Sequence, residues 1–307
     1  MIRFTLRQLE YVVRAAETGS VTLAAKRVRA SQPTVSAAIA GVERVLGVQL
    51  FVRHHAQGLS VTPAGREFAR EAGSVLRHAA ELDGFASALR DEVSGPVGVG
   101  CLVTLAPLIG PRLCGGFERQ HPAARVELAE SGQEELLAGL RGGALALGLT
   151  YDLGLADDVD FEPLAELPPL AMLAAGHRLA ARRSVGLERL AAEPLVLLDL
   201  PLSRDYFRSL FAAQGLEPLI ARRSPHMEVI RALVANGFGY SLLNARPLTD
   251  RALDGSELRV LPIAGDHRPM RLGIATLRGL RSTRAATAFR DHCRAVAAAG
   301  DLPGISP

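Results

Sequence analysis

A single long helix is the feature that most constrains the fold of this chain. No proline occurs between Pro63 and Pro96, and apolar side chains in that interval recur at alternating spacings of four and three. This is the heptad seam of a helix that pairs with a second helix. It predicts a dimerisation helix over residues 63–92, although a helix packed only on its own domain is the alternative. The seam consists of Phe68, Ala72, Val75, Ala79, Leu82, Ala86 and Leu89.

A break after this helix divides the 307 residues into a head and a body. Ser94-Gly95-Pro96 ends the periodic pattern, as small and proline residues do at domain boundaries. The boundaries predict a head over residues 1–62 and a body over residues 93–307. Residues 1–90 hold 12 Lys and Arg against 7 Asp and Glu, a net charge of +5. Residues 91–307 hold 23 against 25, a net charge of −2, so the head favours a polyanionic partner.

The head reads as a winged helix-turn-helix. Thr5, Ser20 and Ser31 each precede a helical apolar pattern and predict three N-caps, while Gly19 and Gly47 predict helix ends. The third helix would bury residues spaced by four, three and four. These are Val35, Ile39, Val42 and Leu46. Residues 50–62 then read as a two-stranded wing.

Short polar side chains at the start of the third helix suit the reading of DNA. A Gln side chain pairs with adenine edges, and Ser and Thr contact bases or phosphates. On the wing, Arg53 and the adjacent His54 and His55 are available to phosphates. The predicted DNA-binding residues are Ser31, Gln32, Pro33, Thr34, Ser36 and Arg53. The alternative is an ordinary three-helix bundle followed by a hairpin.

Five segments of the head resemble the N-terminus of LysR-type transcriptional regulators. They are Leu6-Arg7-Gln8-Leu9, Gly19-Ser20-Val21-Thr22-Leu23-Ala24-Ala25, Ser31-Gln32-Pro33-Thr34-Val35-Ser36, Leu46-Gly47-Val48-Gln49-Leu50-Phe51 and Thr62-Pro63-Ala64-Gly65. The chain departs from the family after Ser36, where Ala37, Ala38 and Ala40 stand in place of basic or long polar residues. The resemblance implies double-stranded DNA as a partner, a linker helix that pairs two chains, and assembly as a dimer of dimers.

The body alternates strand and helix patterns, which predicts an α/β fold with largely parallel sheets. Its length favours two subdomains. The family resemblance implies the two-lobed fold of type II periplasmic binding proteins. One lobe would take residues 93–163 and 268–307, and the other residues 164–267.

Small polar residues follow several predicted strands of the body, where ligands bind in open α/β sheets. Helix N-termini at these places favour anions, and an Arg fork pairs with carboxylates. The sequence therefore predicts a small anionic effector, a carboxylate, although each Ser or Thr alone is equally a helix cap. The predicted effector-binding residues are Thr104, Ser131, Gly132, Tyr151, Ser203, His226, Asn244 and Arg246.

Other functional classes find little support in the sequence. It contains no nucleotide-binding, hydrolase or metalloprotease motif of the common kinds, and we expect no enzyme, cofactor or metal. No apolar signal segment or membrane helix is evident, so we expect a cytoplasmic, nucleoid-associated protein. Cys101, Cys114 and Cys293 are too few and too widely spaced for a disulfide framework. A redox-responsive regulator that uses a cysteine is the alternative function.

Overall fold

The computed structural model describes residues 4–54, 58–88, 93–280 and 282–305. The head contains three helices and a two-stranded wing, as predicted. Its elements are α1 (Leu6–Thr18), α2 (Val21–Arg27), α3 (Gln32–Leu46), β1 (Phe51–His54) and β2 (Gly58–Val61).

The three predicted N-caps of the head are confirmed. The hydroxyls of Thr5, Ser20 and Ser31 each accept a hydrogen bond from a backbone N–H in the first turn that follows. Gly19 and Gly47 end α1 and α3 with φ values of 60° and 72°. Glycine adopts this left-handed region without the steric cost that a side chain would add. Local chemistry therefore sets the length of these helices.

The core of the head follows the predicted face of α3 and only part of the face that the apolar pattern predicts for α1. Val35, Ile39 and Val42 are buried, whereas Leu46 is only partly covered. The apolar pattern of α1 predicts a stripe of Leu6, Leu9, Val12, Val13 and Ala16. The structure buries Leu9 and Val12 of this stripe together with Tyr11 and Ala15, and it leaves Leu6 49% exposed. The reason is that α1 packs against three helices at once, including the one that follows the wing, so its buried face is wider than a single stripe. Val13 and Ala16, also predicted on that stripe, are half-buried.

The predicted long helix is present as α4 (Pro63–Ala88), with 26 residues. Its first turn fits against the wing only because residue 65 is glycine, since a Cβ there would lie 2.0 Å from the carbonyl oxygen of Leu50. Phe68 packs edge-on against Phe4, with ring centroids 5.7 Å apart. Val75, on the predicted seam, is 46% exposed. Leu89 lies outside the described residues, and so do the side chains of Leu82 and Ala86.

The body contains ten strands and six helices among its described residues. They are β3 (Gly95–Leu102), α5 (Ala106–Gln120), β4 (Ala124–Ser131), α6 (Gln133–Arg141), β5 (Leu147–Tyr151), β6 (Val159–Leu167), β7 (Leu170–Ala174), α7 (Leu187–Ala191), β8 (Pro194–Leu198), α8 (Pro201–Ala212), β9 (Leu219–Ser224), α9 (Met227–Ala235), β10 (Ser241–Leu243), β11 (Leu258–Pro262), β12 (Met270–Leu277) and α10 (Arg284–Ala298).

These strands form two lobes. The first lobe has a five-stranded sheet in the order β4-β3-β5-β12-β6. In the second lobe, β10-β7-β11 and β8-β9 are joined by a parallel bridge between Leu195 and Tyr240. The prediction of largely parallel sheets is wrong, because β12 runs antiparallel to β5 and β6, and β7 runs antiparallel to β10 and β11. Strands β6 and β9 were not predicted from the sequence.

The chain crosses between the lobes twice. It leaves the first lobe through β6, Pro168 and Pro169 and enters β7. It returns between β11 and β12. The boundary predicted between residues 163 and 164 falls inside β6, which continues to Leu167. Nowhere in the described ranges is there a helix with the length and apolarity needed to span a membrane.

Candidate functional sites

The first turn of α3 presents the predicted polar residues on the surface of the head. Ser31, Gln32, Pro33 and Thr34 are exposed, and Ser36 is half-buried. The Ser31 hydroxyl lies 2.7 Å from the Thr34 hydroxyl and accepts the Thr34 N–H at 3.3 Å. Ser31 therefore caps the helix, and Gln32 at the first helical position is exposed.

The wing is a hairpin in which Arg53 pairs with Leu59 across the two strands. The side chains of Arg53 and His54 lie outside the described part of the structure, as does the whole of His55. The position of the wing next to α3 is that of the winged helix-turn-helix, in which α3 enters the major groove of a duplex.

The parallel strands of both lobes end facing each other. Strand β3 runs parallel to both β4 and β5, so the carboxyl ends of these three strands meet at one edge of the sheet. That edge is where β6 also ends, at Leu167, and where the chain crosses to the second lobe. In the second lobe, β8, β9 and β10 end on the side from which Asn244 contacts Leu167. The two sets of strand ends therefore line the cleft between the lobes.

Two of the predicted residues of the first lobe are brought into direct contact. The Thr104 and Tyr151 hydroxyls lie 3.1 Å apart. Burial raises the pKa of Tyr151 to about 12, and the hydrogen bond with Thr104 opposes this shift. Tyr151 is thus a neutral hydroxyl at any physiological pH, able to donate one hydrogen bond.

Ser131 and Gly132 lie beside this pair, where β4 passes into α6. The Ser131 hydroxyl oxygen is buried and has no hydrogen-bond partner among the described residues. A buried hydroxyl without a partner is destabilising, and it is an available group for a ligand. Gly132 is the exposed N-cap of α6. Next to them the Thr150 hydroxyl donates to Gln133 Oε1 at 2.5 Å, and Gln133 Nε2 donates to the Leu153 carbonyl at 3.0 Å.

Ser203 and His226 are at helix N-termini of the second lobe. Ser203 is buried in the first turn of α8. His226 is the exposed N-cap residue of α9, and its backbone N–H donates to the Ser224 hydroxyl at 3.2 Å. Within the described ranges, neither side chain forms a hydrogen bond to the first lobe.

Asn244 is placed at the crossing between the lobes rather than in open solvent. Its amide nitrogen donates to the Leu167 carbonyl at 2.9 Å and to the Tyr206 hydroxyl at 3.3 Å. Tyr206 in turn donates to the Arg268 carbonyl at 2.8 Å. Burial raises the pKa of Tyr206 despite the hydrogen bond from Asn244. Tyr206 was missed in the sequence because its position on α8 is indistinguishable from that of an ordinary core tyrosine.

Arg246 has a partner of its own. Its guanidinium binds the Asp250 carboxylate with N–O distances of 3.1 and 3.2 Å, and its side chain is 51% exposed. Its backbone N–H donates to the Gly304 carbonyl at 2.8 Å. The residue therefore lies close to the end of the first lobe, with its charge already paired.

Asp152 is a second residue that the sequence did not indicate. It follows β5, its side chain is 4% exposed, and it accepts hydrogen bonds from the backbone N–H and Nε of Arg271 at 3.0 and 2.7 Å. Arg268 approaches the same carboxylate at 3.6 Å. Burial acts to raise the pKa of Asp152, and the bonds from Arg271 outweigh it, so this pKa lies below its ordinary value.

The three cysteines are poor nucleophiles. Burial raises the pKa of Cys101 to about 12 and that of Cys114 to about 11. Burial also raises the pKa of Cys293, which is fully covered. A thiol with so high a pKa is almost entirely protonated near neutral pH and reacts slowly.

Together these features define a class of protein. A winged helix-turn-helix head, a long helix and a two-lobed domain with a polar cleft are the parts of a DNA-binding regulator that responds to a ligand. Comparison with known families makes this specific. Residues 6–66 match the bacterial regulatory helix-turn-helix protein, lysR family, and residues 90–298 match the LysR substrate binding domain. The chain belongs to the LysR family of transcriptional regulators.

Relatives and solved structures agree with this assignment. The chain is 31% identical over 252 residues to the DNA-binding transcriptional dual regulator OxyR of Escherichia coli. The matched region covers 81% of this chain and 82% of that protein. A putative LysR family transcriptional regulator from Pseudomonas aeruginosa has 38% identity and a TM-score of 0.65, covering 96% of this chain and 99% of that one. Full-length CbnR in complex with its target DNA has 25% identity and a TM-score of 0.58, covering 96% and 100%.

Proposed function

We propose that this LysR-type regulator senses a small anion, a carboxylate, in the cleft between its two lobes. The observation that carries the proposal is the convergence of strand ends on one cleft, with the Ser131 hydroxyl left without a partner. Thr104, Ser131, Gly132 and Tyr151 would contact the effector from the first lobe. The contacts from the second lobe and the crossing would come from Ser203, His226, Asn244 and Arg246.

The proposal that the effector is an anion depends mainly on Arg246. Because Asp250 already binds its guanidinium, an anion must share or replace that ion pair. A half-exposed ion pair of this kind contributes little to stability, so replacing Asp250 by an effector carboxylate costs little free energy. Ser131 and Tyr151 would then bind the neutral part of the effector as hydrogen-bond donors.

Calorimetry on the full chain tests this proposal. We expect a panel of small carboxylic acids to contain binders whose amides and methyl esters bind much more weakly. Arg246→Ala should weaken the acid by roughly ten- to a hundredfold, the value of a charged hydrogen bond. Arg259→Ala is the matched control, since Arg259 is an exposed arginine of the same lobe on β11. Equal binding of acids and esters, or equal effects of the two variants, would refute the anion.

We propose that some residues of the head contact bases and that others contact the phosphate backbone. Gln32, with Ser31, Pro33, Thr34 and Ser36, would lie along base edges, and Arg53 would hold the backbone. Gln32→Ala should cost roughly 1–3 kcal/mol on the cognate site and little on random DNA. Arg53→Ala should weaken both alike. Binding sites for this test are recovered by selecting genomic fragments with the protein, and a Gln32→Ala loss that is equal on both DNAs contradicts the division.

The assembly is proposed to be a homodimer joined through α4, with two dimers forming a tetramer. The exposed Val75 on the seam supports the helix pair, because a second chain would cover it. The domain limits proposed are residues 1–62, 63–92 and 93–307. The site of action proposed is the cytoplasm, at the nucleoid, because the partner is double-stranded DNA.

A cysteine-based response to oxidants is the second candidate function. It is favoured by relatives such as the hydrogen peroxide-inducible genes activator of Pectobacterium carotovorum subsp. carotovorum, which is 31% identical over 252 residues. The raised pKa values of Cys101 and Cys114 argue against it. Treatment with peroxide that changes DNA affinity reversibly would favour the redox function over the cleft.

A further inference from the structure

A groove separates the first turn of α1 from the first turn of α3 on the surface of the head. It has a volume of about 550 Å³ and is lined by Thr5, Arg7, Gln8, Tyr11, Ser31 and Thr34, among others. We propose that this groove holds one phosphodiester group of the DNA backbone, bound by the Arg7 guanidinium and the Tyr11 hydroxyl. The proposal rests on DNA binding by the head and adds two residues to it.

Arg7 is oriented by a buried partner and keeps its charge available. Its Nε donates to the Tyr11 hydroxyl oxygen at 2.9 Å. Among the residues that the structure describes, no carboxylate lies within 4 Å of this guanidinium, whereas Arg14 on the same helix pairs with Glu17 at 2.9 Å. The two terminal nitrogens of Arg7 are thus left to bind a partner in the groove. A guanidinium fork held in this way matches two oxygens of one phosphate.

Tyr11 supplies the second, independent indication of a ligand. Its side chain belongs to the head core and the residue is only 4% exposed, yet it lines the groove. The hydroxyl oxygen accepts from Arg7, and within the described ranges no protein group accepts its own proton. The proton of the hydroxyl can therefore be donated into the groove, where a phosphate oxygen would accept it.

The remaining groups around the groove favour an anion without competing for it. Thr5 and Gln8 bind each other in the capping box of α1, and Ser31 and Thr34 bind each other at the start of α3. Neither first turn contains an acidic residue. Two helix N-termini with their positive dipole ends therefore meet at a groove whose single cation is Arg7, among the lining residues.

The position of the groove also fits a backbone contact. It lies immediately next to Ser31 and Thr34, at the end of α3 from which Gln32 would read base edges. A phosphate bound there would fix the depth and register of α3 in the major groove, since phosphate contacts position a protein and base contacts specify the sequence.

Binding of the full chain to a labelled 30-base-pair duplex of random sequence tests the proposal, because a phosphate contact does not depend on sequence. Fluorescence anisotropy would be measured over a series of salt concentrations. Arg7→Ala should weaken binding roughly ten- to a hundredfold at low salt and reduce the log–log salt slope by about 0.9. Tyr11→Phe keeps the charge, so it should weaken binding without changing the slope.

Two further variants make the result specific. Arg14→Ala removes an arginine of the same helix that is already paired, and it should change affinity and slope little. Arg7→Lys keeps the charge but loses the guanidinium fork. Its salt slope should therefore match that of the original protein, and its affinity should fall between those of the original protein and Arg7→Ala. Circular dichroism melting curves would establish that each variant is folded at the assay temperature.

These measurements distinguish failure of DNA binding by the head from failure of phosphate binding in the groove. If the unaltered chain fails to bind any duplex, DNA binding itself is refuted and the groove assignment falls with it. If the chain binds but Arg7→Ala behaves as Arg14→Ala does, the groove proposal alone is overturned. If Arg7→Ala has the expected effect but folded Tyr11→Phe binds as tightly as the original, Tyr11 is not a phosphate ligand and the two-residue site is refuted.

Discussion

Asn244 donates a hydrogen bond of 2.9 Å from its side-chain amide to the carbonyl oxygen of Leu167. Leu167 ends β6, where the chain first leaves the first lobe. The same amide reaches Tyr206, which binds the carbonyl of Arg268 at the return crossing. Asn244 and Tyr206, both in the second lobe, therefore each bind a main-chain carbonyl at one of the two crossings. Hydrogen bonds thus fix the connection between the lobes.

Asn244→Ala should loosen this joint. The substitution leaves the Leu167 carbonyl and the Tyr206 hydroxyl without their donor, so we expect the free energy of unfolding to fall by about 1–3 kcal/mol. Urea unfolding followed by circular dichroism measures it. Asn236→Ala is the matched control, because the Asn236 amide also donates two hydrogen bonds, to the Ala232 carbonyl and the Asp254 carboxylate, but is exposed. Water can replace these bonds, so the loss should be smaller. Equal losses for the two variants would contradict a special role for Asn244.

Asp152 should make stability depend on pH in the acid range. Its pKa in the folded protein lies below the ordinary value of 3.8, so its contribution is complete above that value and is lost as the pH falls through the folded pKa. Asp152→Asn should therefore lower the free energy of unfolding by about 1–3 kcal/mol near pH 7, and the difference from the original protein should shrink below about pH 4. Unfolding curves at several pH values measure this.

Asp205→Asn is the control for that series, since the Asp205 side chain is 70% exposed. It should show a small difference at every pH. A difference for Asp152→Asn that persisted unchanged at pH 3 would show that packing, and not the charge on the carboxylate, is responsible.

Val75→Asp should separate the two chains of the proposed dimer. Val75 is 46% exposed in the single chain and would be covered by the second α4, where an unpaired carboxylate is strongly destabilising. Light scattering should then report a dimer for the original protein and a monomer for the variant at the same concentration. Val48→Asp is the control, because Val48 is 48% exposed but lies outside α4. A dimer that survives Val75→Asp would place the interface elsewhere.

Alkylation should distinguish the thiols by exposure and pKa. With a pKa of about 11, the Cys114 thiol is ionised to roughly one part in a thousand at pH 8, and Cys101 still less. We expect iodoacetamide to label none of the three rapidly in the folded protein and all of them in urea, as read by mass spectrometry. Rapid labelling of Cys101 or Cys293 under native conditions would show that the body opens readily.

The sequence was informative where structure is decided locally. The caps Thr5, Ser20 and Ser31 could be predicted because each depends on a few neighbouring residues. Tyr11 could not be distinguished from Leu6 as a core residue, because three separate helices pack on α1. Which side of a helix is buried depends on partners that are distant in sequence.

The candidate sites show the same contrast. The polar residues at strand ends, such as Thr104 and Tyr151, were predictable because parallel strands bring their ends together. The contacts of Asn244 and Arg246 were not predictable. Asn244 reaches back 77 residues to Leu167, and Arg246 is paired with Asp250, four residues on in a segment without regular secondary structure. Tyr206 and Asp152 act on backbone groups of distant segments, which leave no pattern in the sequence.

The length of α4 gives the molecule a lever arm. At 26 residues it spans about 39 Å, from a rise of 1.5 Å per residue. A tilt of about 5° at one end displaces the other by about 3.4 Å, which is the rise of one base pair. A small change of angle at the body end of α4 would therefore move the head by a distance comparable to one base-pair step.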